Sequence, residues 1–504
     1  MKRIRVIEPV TSEDSLGRTE QTYVAGARPD SEISVVRLDR GPASLESDYE
    51  DALAVPDLLN KVQAAAREGV DAVIIDCMAD PGLGPARELA SIPIVGAAQA
   101  SMHLAAILAH RFSVVSILDR DTPIIERLAL LYGLGDKLAS TRPIDIPVLE
   151  LTKDRDHVLE ALIDQSATAV LKDGAHAIVF GCTGMIGLAR SVQEGLADRG
   201  CEVPVIDPSL AALKWAETLV DTGLVHSKRT YPYPPEKEIL GYEVGDSTLP
   251  KAKGSRGKGG DPVRLSIVIP VVGEKWVGPV MEAYGRFTRP STQLSAVTLD
   301  KGPASIESAY DEALAVPDVL SRVRAAQEGG MDAVLLDCMA DPGLAPAREA
   351  VFIPVVGPAQ VSMHLAAALA HRFSVITVLK QTIPSVQLQI QGYGLMDRVA
   401  SVRAVEIPVL EMESDVHGLV GAVVEEAARA VVEDGAHIII PGCTEMVGLA
   451  PDVQEGLARQ GCEVPVIEPA AMAVKMAESL LDMGLSHSKR SYPTPPEKVV
   501  VGYP

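Results

Sequence analysis

Six cysteines are spread over 504 residues, and four of them fall into a pattern that could do chemistry. Cys77 follows the run AVIID and Cys182 the run AIVFG, while Cys338 and Cys443 repeat the pair at a constant offset of 261 residues. A thiol titrates near enough to neutrality to serve as acid or base. Two thiols on opposite faces of an acidic carbon could exchange its proton, a thiolate removing it from one face while the facing thiol supplies one to the other. Such an inversion needs no cofactor, and the charge it develops calls for fixed donors, for which Thr183 beside Cys182, with the loop amides, is a candidate. A lone buried cysteine is most often an inert small hydrophobe. Cys201 and Cys462, each within GCEVP, take that structural reading. Zinc sites use closely spaced ligands, and neither Cys77 nor Cys182 has another Cys or His within five residues, so no metal is expected. No glycine-rich phosphate loop follows the first strand, so no nucleotide is expected either.

The elements that position these thiols are legible from repeats. Asp39–Asp57 reads DRGPASLESDYEDALAVPD and Asp300–Asp318 reads DKGPASIESAYDEALAVPD. The unvarying offset implies two copies, residues 1–243 and 262–504, joined by a Gly-, Lys- and Ser-rich linker at 244–261. Each copy also repeats within itself. EGVDAVIIDCMADPGL at Glu68–Leu83 and DGAHAIVFGCTGMIGL at Asp173–Leu188 share one template, with Cys77 and Cys182 in register. The runs AVIID, IPIVG, FSVVSIL, AIVFG and VPVID suit strands buried on both faces, and helical patterns such as Asp57–Glu68 and His157–Lys172 lie between them. The alternation predicts an α/β fold: two tandem copies, each of two pseudo-symmetric, doubly wound (flavodoxin-like) parallel-sheet lobes with a cleft between. Cys77 and Cys182 then stand at the carboxyl ends of equivalent strands, where open parallel sheets bind ligands. Two lobes facing each other would bring the thiols together, and a following helix N-terminus would favour thiolate.

Composition narrows the function classes. A formal net charge of −22 repels phosphate backbones, so nucleic-acid binding is not expected. The apolar runs are too short to span a bilayer, and MKRIRVIEP lacks the apolar core of a signal peptide. No membrane association and a cytoplasmic location are expected.

Taken together and in order, GPASLES with its DALAVPD continuation, DCMADPGL, the IPIVG strand, and GCTGM or GCTEM resemble the aspartate/glutamate/hydantoin racemase superfamily, hydantoin racemases most of all. The resemblance covers nearly all of both copies. It implies two α/β lobes per copy with one catalytic cysteine from each: Cys77 with Cys182, and Cys338 with Cys443. It implies substrate contacts at Thr183, Gly184, Thr444 and Glu445, at Pro9 and Thr11 after the first strand, and at Gly96 and Gly357. Where hydantoin racemases have Asn-Pro-Asn, this chain has Glu8-Pro9-Val10 and Ile269-Pro270-Val271. Gly184 in one copy answers to Glu445 in the other, the latter resembling aspartate racemases.

The leading reading is a cofactor-independent racemase of a small carbonyl compound with one acidic C–H, preferably a 5-substituted hydantoin. Its rivals are an aspartate or glutamate racemase, a cysteine-dependent isomerase or decarboxylase on the same lobes, and a small-molecule binding protein. The linker would let the copies pair within the chain, and further homo-oligomerisation is compatible with that. Asp80 and Asp341, each before Pro, read as caps of the helix that follows. His103 and His364 read as packed in helices, and HSKR at His226–Arg229 as a solvated, proline-anchored tail rather than a basic lid.

Overall fold

Valine, isoleucine and alanine dominate the strands because helices cover both faces of each sheet and leave no solvent side for polar residues. The computed structural model describes residues 1–12, 16–234 and 263–494. It divides into two compact units, Met1–Gly259 and Gly260–Pro504. The stretch expected as a linker, 244–261, lies outside the described residues.

In the first unit β1 (Lys2–Glu8), β2 (Ser31–Arg37), β3 (Ala72–Ile75) and β4 (Ile94–Gly96) form a parallel sheet in the order β2-β1-β3-β4. A second parallel sheet joins β5 (Phe112–Ser116), β6 (Leu138–Pro143), β7 (Ala177–Phe180) and β8 (Val205–Ile206) in the order β6-β5-β7-β8. The second unit repeats the first sheet with β9 (Val263–Val272), β10 (Thr292–Leu299), β11 (Ala333–Leu336) and β12 (Val355–Val356), ordered β10-β9-β11-β12. Its other sheet holds β13 (Phe373–Thr377), β14 (Val399–Ala404) and β15 (Ile438–Pro441), ordered β14-β13-β15. A single parallel bridge from Ile439 to Val466 marks the place of the fourth strand. In every sheet the chain leaves the central strand toward one neighbour and returns on the other side. The diverging connections leave a crevice at the carboxyl ends of β1 and β3, and of β5 and β7.

The helix Asp48–Arg67 begins nine residues before the expected Asp57. Ser47 accepts from the Glu50 amide while its hydroxyl donates to the Glu50 carboxylate, a local cap that outweighs the penalty of Pro56 inside the helix. The helix Ala97–Leu108 is buried along its whole length, as an apolar sequence on every side requires. Against it packs Pro208–Thr222, which follows the second sheet in sequence but lies on β1, β3 and β4 of the first. Its start is fixed by Asp207, whose carboxylate accepts from the Ser209 and Leu210 amides.

The tail after that helix is not solvated as its polar sequence suggested. His226 and Ser227 are buried, and His226 Nε2 accepts from the Ile94 amide. The Lys228 ammonium donates to the carbonyls of Arg87, Glu88 and Ala90, ending the helix Leu83–Leu89. Lys489 repeats this on Arg348, Glu349 and Val351. In each unit a short basic motif thus straps the segment after the returning helix to the end of a helix beside that unit's first sheet. No described helix is long and apolar enough to cross a membrane.

Replacing Lys228 by methionine should keep the stem and remove the charged donor. Denaturant unfolding should show the first unit destabilised by about 2 kcal/mol, the scale of hydrogen bonds to a charged group. An unchanged midpoint would show that the strap carries no stability.

Candidate active site

Cys77 follows β3 after Asp76, and Cys182 follows β7 after Gly181, so both stand at the carboxyl edge of the crevice in their sheet. Gly181 is required there because a Cβ would come within 2.6 Å of the Ser116 backbone on β5. Both cysteines line a cleft of about 720 Å³, counting space open to solvent, together with Glu8, Thr19, Thr152 and Thr183. Both also line an adjoining chamber with Asp51, Asp121, Ile124 and Ile125. The two spaces meet at the thiols.

Among the hydrogen bonds between the lobes, two lie beside the thiols. The Thr183 hydroxyl donates to the carbonyl of Asp76, the residue before Cys77, at 3.0 Å. The Glu46 carboxylate accepts from the Val148 amide of the other lobe at 2.9 Å. The first bond revises the role expected of Thr183: its proton is directed at the backbone, so it positions the two cysteine loops rather than meeting charge on a substrate. The second unit repeats both bonds, Thr444 to Asp337 at 3.2 Å and Val409 to Glu307 at 2.7 Å. Cys338, Cys443 and Thr444 share a chamber there with Glu312, Thr382 and Gln389.

The electrostatics overturn the expectation of a ready thiolate. Burial pushes the Cys182 thiol up to about 12 and Cys77 well above its ordinary value; nearby carboxylates, Asp51 for Cys77 and Asp121 for Cys182, add to the rise. Opposing this, Ala79 N donates to the Cys77 sulfur at 3.5 Å and Gly184 N to the Cys182 sulfur at 3.3 Å. Helix polarity is weak here because Cys77 is separated from Leu83–Leu89 by a turn, and only a three-residue 3₁₀ turn follows Cys182; the dipole acts over the first turn of a helix. Cys338 and Cys443 are raised in the same way, by burial first. Both members of each pair are therefore thiols at rest near neutral pH.

Other expected contacts divide. Pro9 and Gly184 line the cleft. Thr11 is instead tied by its amide and hydroxyl to the Pro42 carbonyl. Gly96 lies against the Asp80 carboxylate, where a Cβ would stand 2.5 Å away, and Gly357 has the same relation to Asp341. Both glycines serve packing rather than the cleft. Glu445 flanks Cys443, its amide lowering and its carboxylate raising the thiol's pKa. Asp80 does not cap the helix that follows it, since Gly82 holds that place. Its carboxylate accepts from the Ala98 and Gln99 amides at the start of Ala97–Leu108 and from the Tyr132 hydroxyl. Asp80 adopts a left-handed φ of 47° to do so. His103 and His364 are buried within helices.

Sequence reasoning missed several carboxyls. Asp76, which precedes Cys77 and lines the same cleft, accepts from Tyr23 and Ser209 and is raised to about 7 by burial. Asp51, raised to about 6 by burial and its acidic neighbours, has a buried Oδ1 with no hydrogen-bond partner beside the thiols. The recurrence of an Asp before Cys77 and Cys338 was the available signal for Asp76; nothing local marked Asp51. Among the described residues, no group of three or more His, Cys, Asp or Glu is placed to hold a metal.

Doubly wound lobes with a cysteine at the crevice of each define the class of fold, and family comparison identifies the family. The Asp/Glu/hydantoin racemase model matches residues 4–216 and 280–477, so the chain belongs to that family and carries it twice. It is a racemase. Hydantoin racemase of Pseudomonas sp. (strain NS671) is 40% identical over 240 residues, which is 47% of this chain and 94% of that protein. Hydantoin racemase of Paenarthrobacter aurescens is 39% identical over 243 residues, 47% of this chain and 100% of that protein. Among solved structures, allantoin racemase from Klebsiella pneumoniae is 34% identical, covering 48% of this chain and 96% of that one with a TM-score of 0.45.

Thr183→Val should separate the two cysteine loops and lower kcat about tenfold in a protein whose second copy is silenced at Cys338 and Cys443, one hydrogen bond's worth of positioning. Thr183→Ser should restore most of the rate. Equal activity of the valine and wild-type forms would remove the positioning role.

Proposed function

We propose that each copy racemises a 5-substituted hydantoin or a closely related small compound, using Cys77 with Cys182 in the first and Cys338 with Cys443 in the second. The observation that carries the reading is the recurrence, in both copies, of two thiols from equivalent loops of two lobes lining one shared space. The hydantoin preference rests on likeness to the hydantoin racemases.

In one turnover a thiolate takes the proton from C5. The C–H bond breaks and its electron pair delocalises into the adjacent carbonyl as an enolate. The facing thiol gives its proton to the opposite face of C5, so the product is the mirror image. The sulfurs have exchanged protonation states, ready for the reverse reaction. The Ala79 and Gly184 amides, which already donate to the sulfurs, stabilise whichever is ionised. Raised thiol pKa values leave little thiolate at neutral pH but make the thiolate that forms a strong base, a useful trade for a weak carbon acid. All six cysteines are free thiols, which suits a reducing compartment such as the cytoplasm.

Replacing all four cysteines by alanine should reduce racemisation of 5-isobutylhydantoin, followed by polarimetry, by at least about a thousandfold. Wild-type protein in deuterated water should place deuterium at C5 as fast as it inverts it. A quadruple variant that still racemises rejects the mechanism.

The pH dependence has a definite sign. Below the raised thiol pKa both sulfurs are protonated and no base exists, so kcat/KM should climb with pH through neutrality and beyond about pH 9. A profile already flat below pH 7 contradicts it.

A further inference from the structure

The two copies differ in where they put polarity around the thiols. In the first, the floor of the cleft on the β1 side carries Glu8 and Thr19, the threonine hydroxyl donating to the Glu8 carboxylate at 2.7 Å, with Ser12 beside them. The equivalent positions in the second copy, 261 residues on, are Ile269, Val280 and Gly273. Ile269 and Val280 are buried.

The chamber on the other side changes in the opposite sense. Its wall in the first copy is the helix Thr122–Leu131, which presents Ile124 and Ile125. Leu128, buried on the same helix, lies one turn further on. Asp121 is also there, but its carboxylate is turned to the Ser116 hydroxyl and the Leu118 amide. In the second copy the equivalent helix, Ile383–Gly392, presents Ser385, Val386 and Gln389. Thr382 stands at its start and shares a hydrogen bond with Thr377. The Gln389 amide donates to the Met339 carbonyl, next to Cys338, at 3.1 Å.

Polar groups have thus moved from the β1 side to the helix side, and apolar ones the other way, while the thiols kept their places. A 5-alkylhydantoin has a ring that needs hydrogen-bond partners and a substituent that needs an apolar wall, and a mismatched polar group left without partners is costly. We infer that the two copies hold such a substrate in opposite senses. The ring lies toward Glu8 and Thr19 in the first copy, with the substituent toward Ile124 and Ile125, but toward Ser385 and Gln389 in the second, where Ile269 and Val280 make the β1 side apolar. The inference rests on the paired thiols being the reacting groups. The near equivalence of the lobes makes it possible, since a carbon between two alike sulfurs can be served with its ring on either side.

The test uses two full-length proteins, one with Cys338→Ala and Cys443→Ala, leaving the first copy, and one with Cys77→Ala and Cys182→Ala, leaving the second. Each receives the residue its sister copy carries. In the first, Glu8→Ile should raise KM for 5-isobutylhydantoin about tenfold. In the second, Gln389→Leu should raise KM about tenfold. Thermal unfolding separates binding effects from misfolding. As an arm needing no wall substitution, the second copy should, like the first, prefer 5-isobutylhydantoin to 5-(2-carbamoylethyl)hydantoin. A second copy that prefers the carbamoyl substituent, or one indifferent to Gln389→Leu, overturns the reversed docking while leaving the racemase reading intact. If neither single-copy protein racemises any hydantoin although the parent does, the paired-thiol reading fails first.

Discussion

A single hydrogen bond from the Thr183 hydroxyl to the Asp76 carbonyl sets the register of the candidate site, because it ties the loop of one cysteine to the residue preceding the other. Each lobe has its own packed sheet, with strands buried on both faces and helices over them. What the sheets cannot fix is the separation of two crevices that belong to different sheets. Thr183 and Glu46 supply that link across the cleft. Their recurrence as Thr444 and Glu307 shows that the second copy solves the same geometric problem with the same atoms. The returning helix Pro208–Thr222 adds a broader contact, packing a segment from the end of the second sheet onto the first.

Burial is the second constraint, and it acts against ionisation. Desolvation, with nearby carboxylates, outweighs the one amide donor at each thiol and favours its protonated form. The neighbouring Cys182 adds to the rise at Cys77, and Cys443 to the rise at Cys338.

Much of this was legible in the sequence. The constant spacing of the copies, the internal template around Cys77 and Cys182, and the β-branched runs led to parallel-sheet lobes with thiols at strand ends. Local signals failed where distant contacts decide. Asp80 has the sequence of an ordinary cap, yet it turns through a left-handed conformation to serve a helix eighteen residues away. Gly96 resembles a ligand-approach glycine, yet its missing side chain makes room for Asp80. The HSKR segment is hydrophilic, and only the buried carbonyls of Arg87, Glu88 and Ala90 explain its lysine. Asp51 was invisible because an acidic residue in a helix's first turn is ordinary, and its value lies in the chamber it faces.

The most direct measurement of the central claim is covalent bridging of the sulfurs. Treating the full chain at about pH 10, where raised thiols begin to ionise, with a short bifunctional thiol reagent and mapping the products by mass spectrometry should join Cys77 to Cys182 and Cys338 to Cys443, with a hydantoin slowing both. Separate single modification of each cysteine, or bridges that leave out one member of each pair, would contradict the account.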